Sequence, residues 1–204
     1  MSTKIKILLV IFNAVLVLLF TFILPIRFEE NDDVMMLLFS SGSYTGHPEN
    51  VLVFINYIYG SVLQVFYSVL PNYEWYTLFF LFFHVISVSV LSYEILRNQT
   101  NKITKVVLML ILYLFEVRLL FQLQFTTTAA LLALSGLILL NKKSYVNYFL
   151  GALFFITASL IRFEAAFLVL LVIFPLFLKN YIRGNKNLKI KIVSSASLGC
   201  VTDK

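Results

Sequence analysis

Long apolar runs, separated by short segments that hold most of the charges, are the feature that most constrains this chain. Of its 204 residues, 60% are hydrophobic and only 13% are charged. Runs of about 20 apolar residues match the hydrocarbon thickness of a bilayer, and such a composition is unlike that of a soluble domain. The sequence therefore predicts an all-α membrane protein.

Six of these runs are candidate transmembrane helices. The first follows Lys4 and Lys6 and reaches Pro25 without the small-residue pattern of a signal-peptide cleavage site, so we interpret it as an uncleaved helix. The last three are short for a span, and we expect their ends to extend into polar flanks. The six runs are Ile7–Leu24, Tyr76–Tyr93, Ile103–Phe121, Phe125–Leu140, Val146–Ile161 and Ala165–Leu178.

The orientation depends on a seventh apolar stretch, Val51–Leu70. If this stretch lies at the outer interface instead of spanning, thirteen of the sixteen basic residues fall on one side, which the positive-inside rule makes the cytoplasmic side. Polar or small residues recur in it every four positions (Asn56, Gly60, Gln64 and Ser68), a pattern typical of an interfacial helix. The alternative is a seventh span with a polar packing seam.

The preferred topology is a plasma-membrane, multi-pass chain with a cytoplasmic amino terminus. Residues 1–182 form a single transmembrane domain of about six transmembrane helices, with a long first outer loop (about 26–75) containing two short interfacial helices. The first of these runs from Asp32 to about Ser40 and ends at Ser41-Gly42-Ser43, and Pro48 is suited to begin the second. Residues 183–204 would be a basic cytoplasmic tail, and we expect the chain to be a truncated product.

Eight of the ten acidic residues lie at or near the outer face in this topology. Two mixed-charge pairs interrupt apolar segments, Glu116 with Arg118 and Arg162 with Glu164. Charges inside a membrane are costly and are usually paired or directed into a polar cavity. The pairs therefore indicate either local ion pairs that help helices pack, or an outer cavity in which arginines bind a phosphate.

The densest acidic group, Glu29-Glu30-Asn31-Asp32-Asp33, directly follows the first apolar run. Asn31 is a good N-cap, and acids favour the first turn of a helix, so capping alone is one explanation of Asp32 and Asp33. Capping does not explain why other charges crowd the same membrane exit. His47 is a lone loop histidine, included as a candidate substrate-binding residue, and His84 is expected to pack or hydrogen-bond inside its helix.

This arrangement resembles the amino-terminal portion of GT-C-type integral membrane glycosyltransferases, of the kind encoded in bacterial surface-polysaccharide clusters. The resemblance rests on one helix, an outer loop that opens with Asp32-Asp33, a short helix, a Gly42-x-x-x-Gly46-x-Pro48 link and a segment ending near Leu70-Pro71-Asn72. Its specific part covers about Asn31 to Tyr76. Such enzymes usually have more spans than this chain.

The resemblance implies that a sugar moves from a polyprenyl-phosphate donor to a cell-surface glycan or lipid acceptor. One aspartate of Asp32 and Asp33 would be the catalytic base, and Arg118 or Arg162 would bind the leaving phosphate. Glu116, Glu164 and His47 complete the candidate substrate-binding residues. No cofactor or metal is expected, although a divalent cation stays open.

Two rival functions stay open as well: a transporter or flippase of lipid-linked oligosaccharide, and a truncated, non-catalytic membrane protein. Nucleic-acid binding is a poor interpretation of the net charge of +6, because the basic residues lie between apolar runs and do not form a patch. The single cysteine, Cys200, excludes an intrachain disulfide.

Overall fold

The computed structural model describes residues 3–23, 27–142, 144–175 and 177, and most of these residues are helical. The chain divides into two compact units, Met1–Val169 and Leu170–Lys204, and the candidate sites described below belong to the first. In chain order the helices of the described residues are α1 (Thr3–Ile23), α2 (Asn31–Ser41), α3 (Tyr57–Val69), α4 (Trp75–Arg97), α5 (Lys102–Phe121), α6 (Phe125–Leu140), α7 (Tyr145–Ile161) and α8 (Phe163–Pro175).

Two of these helices are long and apolar enough to cross a membrane, Lys4–Ile23 within α1 and Trp75–Arg97, which is α4. The apolar helices α6, α7 and α8 are shorter. At 20 residues α5 has the length of a span, but Glu116 and Arg118 lie in its second half. The all-helical prediction is therefore confirmed, and six spans remain a prediction.

Lys6 at the start of α1, Arg97 at the end of α4 and Lys142 just after α6 line one groove, so these three helix ends form a basic end of the bundle. α4 contacts α1, α5 and α6, and α6 contacts α7 along most of its length. The α6–α7 contact is close because two glycines face each other: a Cβ added at Gly136 would lie 2.8 Å from the Gly151 carbonyl oxygen, and one at Gly151 would lie 2.7 Å from that of Gly136. Small residues that let backbones approach are typical of helix pairs in membranes.

The short helices α6 and α7 leave room at one end of the bundle, which α2 and α3 occupy. At about 1.5 Å per residue, the 16-residue α6 is roughly 10 Å shorter than the 23-residue α4. Thr128, in the first turn of α6, is level with His84, more than two turns into α4. The first turns of α4 pack instead against α3, through Tyr67 with Tyr76 and Phe66 with Phe79.

A parallel pair of two-residue strands fastens the predicted outer loop to the bundle. β1 (Arg27–Phe28) pairs with β2 (Gln122–Leu123), and the Glu29 N–H donates to the Leu123 carbonyl at 3.1 Å. β1 lies just before α2, and β2 joins α5 to α6. The ladder therefore places the start of α2 beside the turn between α5 and α6, an arrangement absent from the sequence-based prediction.

Three local predictions can be compared with the structure. α2 ends as predicted, with Gly42 in the left-handed conformation at φ 77° as its C-cap. The prediction that Pro48 begins the second helix is wrong, because α3 begins only at Tyr57, where the Asn56 side chain accepts from the Ile58 N–H. Asn31 is not the N-cap of α2, since Glu30 holds that position without a side-chain cap.

Some of the polar and small residues that recur every four positions in the second loop helix face the loop before it. Gln64 donates to the Pro48 carbonyl at 2.8 Å, and Gly60 lies against the Asn50 backbone with no room for a Cβ. The predicted tail (183–204) and the end of the last predicted span lie outside the described residues.

Candidate functional site

Asp33 is the anchor of the acidic segment. Its side chain is fully buried, and its Oδ1 accepts two hydrogen bonds, from the Tyr76 hydroxyl at 2.8 Å and from the Phe125 backbone N–H at 3.1 Å. Tyr76 belongs to the first turn of α4, and Phe125 is the first residue of α6. One carboxylate thus joins α2, α4 and α6. Because Phe125 is the first residue of α6, its N–H has no carbonyl partner within the helix, and Asp33 provides one.

The second oxygen of Asp33 is buried and has no hydrogen-bond partner among the described residues. Burial raises the pKa of the Asp33 carboxyl to about 6, although the hydrogen bonds from Tyr76 and Phe125 act to lower it. The negative charge of Asp32 raises the pKa further. The buried position of Asp33 therefore makes its ionised form energetically unfavourable.

Asp32 has the opposite environment. It is exposed, although it is the neighbour of a fully buried residue. Consecutive residues on a helix point about 100° apart, so one aspartate enters the protein while the other faces outward. The structure therefore divides the predicted pair into a buried anchor and an accessible carboxylate.

Arg162 lies close to this anchor, on the far side of Phe125. Its guanidinium carbon is 5.1 Å from the Phe54 ring centroid and 5.3 Å from that of Phe125, and the two rings stack at 6.0 Å. The Nε of Arg162 is 3.1 Å from a carboxylate oxygen of Glu164. Phe125 thus donates its backbone N–H to Asp33 and offers its ring to Arg162, which holds the two charged groups in one neighbourhood.

The predicted pair of Glu116 with Arg118 does not form. Arg118 is exposed and lies 3.6 Å from Glu29, whereas Glu116 is buried on another side of α5. Residues two apart on a helix do not face each other, which explains the separation. The pair Arg162 with Glu164 has the same spacing but does form, because Arg162 has extended backbone between α7 and α8.

Glu116 belongs instead to a buried chain of polar side chains between α4, α5 and α6. The His84 Nδ1 lies 2.9 Å from the Glu116 Oε1, and the His84 Nε2 lies 3.1 Å from the Thr128 hydroxyl. Thr128 also donates to the Gln124 carbonyl at 2.8 Å, so its oxygen accepts from His84 Nε2. His84 thus links Glu116 on α5 to Thr128 on α6.

Sequence reasoning placed His84 as a hydrogen-bonding helix residue but did not connect it with Glu116 or Thr128. The signal was present, since all three are polar residues inside apolar helices, but their partners are 32 and 44 residues away in the chain. Tyr76 was missed for a similar reason, because it was predicted only as the first residue of an apolar run.

His47 lies apart from these groups. It is exposed in the loop after Gly42 and lies 3.2 Å from the Glu49 carboxylate. No cluster of three or more His, Cys, Asp or Glu side chains that could hold a metal occurs among the described residues.

Comparisons with protein-family models, with curated proteins and with solved structures give no match to this chain.

Proposed function

We propose that this chain is a multi-pass membrane glycosyltransferase that moves a sugar from a polyprenyl-phosphate donor to a glycan or lipid acceptor. The membrane part of the proposal is supported by the large apolar side chains exposed along α1, α5 and α7, such as Leu8, Leu114 and Phe149, which are each at least 65% exposed. Soluble monomers rarely expose apolar surface on this scale, whereas lipid would cover it.

The observation that carries the catalytic part is the difference between the two neighbouring aspartates. Asp33 is held on both sides and buried, so it fixes the start of α2, whereas Asp32 is exposed and free to meet a substrate hydroxyl. In the proposed step Asp32 accepts the proton of the acceptor hydroxyl. The acceptor oxygen then bonds to the anomeric carbon, and the bond from that carbon to the phosphate oxygen breaks with its electron pair.

The leaving phosphate needs a cation, and Arg162 is the better candidate of the two predicted arginines. Its guanidinium is partly exposed and lies over Phe54 and Phe125, next to the residue that anchors Asp33. A planar guanidinium can bind two phosphate oxygens while it rests on an aromatic face. Arg118 is more exposed than Arg162 and is paired with Glu29.

The test is sugar transfer by membranes containing Asp32→Asn, Asp33→Asn or Glu30→Gln, with protein abundance measured in parallel. Asp32→Asn should lose transfer by about 100-fold or more, which is the range of a lost general base. Asp33→Asn should keep most of it, because an amide oxygen still accepts from Tyr76 and Phe125. Glu30→Gln is the matched control, an exposed acid two residues away. Near-normal transfer by Asp32→Asn would refute this assignment.

A second candidate function, a transporter or flippase of lipid-linked oligosaccharide, is supported by a different observation. His84 and Glu116 lie 2.9 Å apart and buried in the interior of the helix bundle, a position that suits a proton-coupled transporter more than surface chemistry. Translocation of a labelled lipid-linked oligosaccharide in vesicles separates the two candidates. A flippase should keep translocation in Asp32→Asn and lose it in Glu116→Gln. An enzyme should lose sugar transfer in Asp32→Asn and keep it in Glu116→Gln.

A further inference from the structure

A groove at the basic end of the bundle, far from Asp32 and Arg162, has the features of a lipid site. It encloses about 290 Å³ between the start of α1, the ends of α4 and α6 and the start of α7. Its rim carries Lys6, Arg97, Lys142 and Glu94, and its inner wall is largely apolar. From Arg97 to Ile86 the groove follows α4 for about 16 Å, so that it leads from a charged rim to an apolar depth.

The charges at the rim are unbalanced. The single carboxylate of Glu94 contacts two cations, Lys142 and, at 3.9 Å, Arg97. Lys6 has no carboxylate partner among the described residues, and its ammonium lies 5.2 Å from the centroid of the Tyr93 ring. Two positive charges are therefore in excess around an opening whose wall is made of Val10, Val90, Leu150 and Phe154 among others.

We propose that this groove binds the phosphate headgroup of an anionic phospholipid, with the first part of an acyl chain along the apolar wall. The excess of positive charge complements a phosphate, and the apolar depth complements a chain that a soluble phosphate lacks. Basic pockets between helices on the cytoplasmic side of a membrane are suited to anionic headgroups. The site needs the multi-pass arrangement but is independent of the proposed glycosyl transfer.

The chain provides a closely matched pair of variants. Lys4 and Lys6 are both exposed lysines at the start of α1, but only Lys6 lines the groove. Lys6→Ala and Lys4→Ala therefore remove the same charge from the same helix end. Val10→Trp keeps every charge and fills the groove at a residue that is 41% exposed, so that folding should tolerate it.

The experiment measures binding of a fluorescent short-chain phosphatidylglycerol to the purified full chain in neutral detergent micelles. Lys6→Ala should weaken binding about fivefold, the value of one charge near a membrane surface, and Lys4→Ala should not change it. Val10→Trp should also weaken binding. Unlabelled phosphatidylglycerol should compete, whereas phosphatidylcholine and glycerol phosphate should not.

Three results would overturn the proposal. Equal losses in Lys4→Ala and Lys6→Ala would mean that the lipid responds only to the general positive charge of this surface. Full binding by Val10→Trp would mean that the groove is not occupied. Competition by glycerol phosphate as strong as that by the lipid would assign the site to a soluble phosphate compound.

Discussion

At the scale of single residues, the site is organised by backbone and side-chain groups that serve two partners at once. Phe125 donates its N–H to Asp33 and stacks its ring under Arg162, and Tyr76 holds Asp33 while its own N–H donates to the Tyr67 hydroxyl. A substitution at such a residue should therefore affect both partners. The predictions at this scale concern the two buried carboxyls.

The first prediction concerns the pH dependence of stability at Asp33. Because burial raises its pKa from 3.8 to about 6, the contribution of Asp33 to stability is complete below about pH 3.8 and is lost as the pH rises through 6. Relative to Asp33→Asn, the wild type should thus gain about 3 kcal/mol between pH 7.5 and pH 3. Thermal unfolding in detergent at several pH values measures this difference. A constant difference would mean that Asp33 is not buried as described.

The second prediction concerns the pair of His84 and Glu116. His84→Ala leaves the Glu116 carboxylate buried without its partner and should destabilise the protein by about 3–5 kcal/mol. The double variant His84→Phe with Glu116→Leu removes both polar groups and should cost much less. The unfolding free energies of the single and double variants give the coupling energy. Additive effects would show that the two side chains do not interact.

At the scale of elements, the sequence predicted the long helices well and the connections between them poorly. α6 begins and ends at the predicted residues, because a run of apolar residues between two polar segments defines a helix locally. The start of α3 was missed by several residues, since Val51–Ile55 is apolar but is held by tertiary contacts outside any helix. The β1–β2 ladder is only two residues long and joins segments more than 90 residues apart, so no local pattern indicates it.

Features of the site that depend on residues distant in the chain were likewise beyond sequence-based prediction. Asp32, Asp33 and Arg162 were recognisable because charges in an apolar sequence are conspicuous. Their different roles were not, because the burial of Asp33 depends on Tyr76 and Phe125, which are distant in the chain. The partner of Glu116 was assigned to the nearest cation in sequence, whereas helix geometry directs Glu116 toward His84.

The third prediction concerns the contact between α6 and α7. Gly136→Ala or Gly151→Ala places a methyl group within 3 Å of the opposing carbonyl oxygen, so the helices must separate. Each substitution should destabilise the protein by about 1–3 kcal/mol, the cost of overpacking. Leu153→Ala, on the exposed side of α7, is the control and should have little effect. Thermal unfolding in detergent distinguishes them, and equal melting temperatures for all three variants would contradict the close contact.

At the scale of the whole molecule, the proposed orientation makes the fourth prediction. In a variant with Cys200→Ser, a cysteine at Ser43 should react with a membrane-impermeant thiol reagent added to intact cells, and a cysteine at Gln99 should not. Both positions are exposed, so access to the reagent depends on the side of the membrane. Permeabilised cells are the control, in which both should react. Labelling of Gln99→Cys in intact cells would require the stretch from Val51 to Leu70 to span the membrane.

The unequal lengths of α4 and its neighbours also have a mechanical consequence. α4 is about 34 Å long, whereas α6 and α7 are only about 24–26 Å, so one bilayer accommodates all three only if α4 tilts or the lipid thins beside the shorter helices. In the proposed orientation, lipid compressed beside the exposed face of α7 would lie next to the end of that helix, where Arg162 lies. Compression brings headgroups down toward that arginine, so the elasticity of the surrounding bilayer becomes a determinant of how readily a lipid-borne phosphate reaches it.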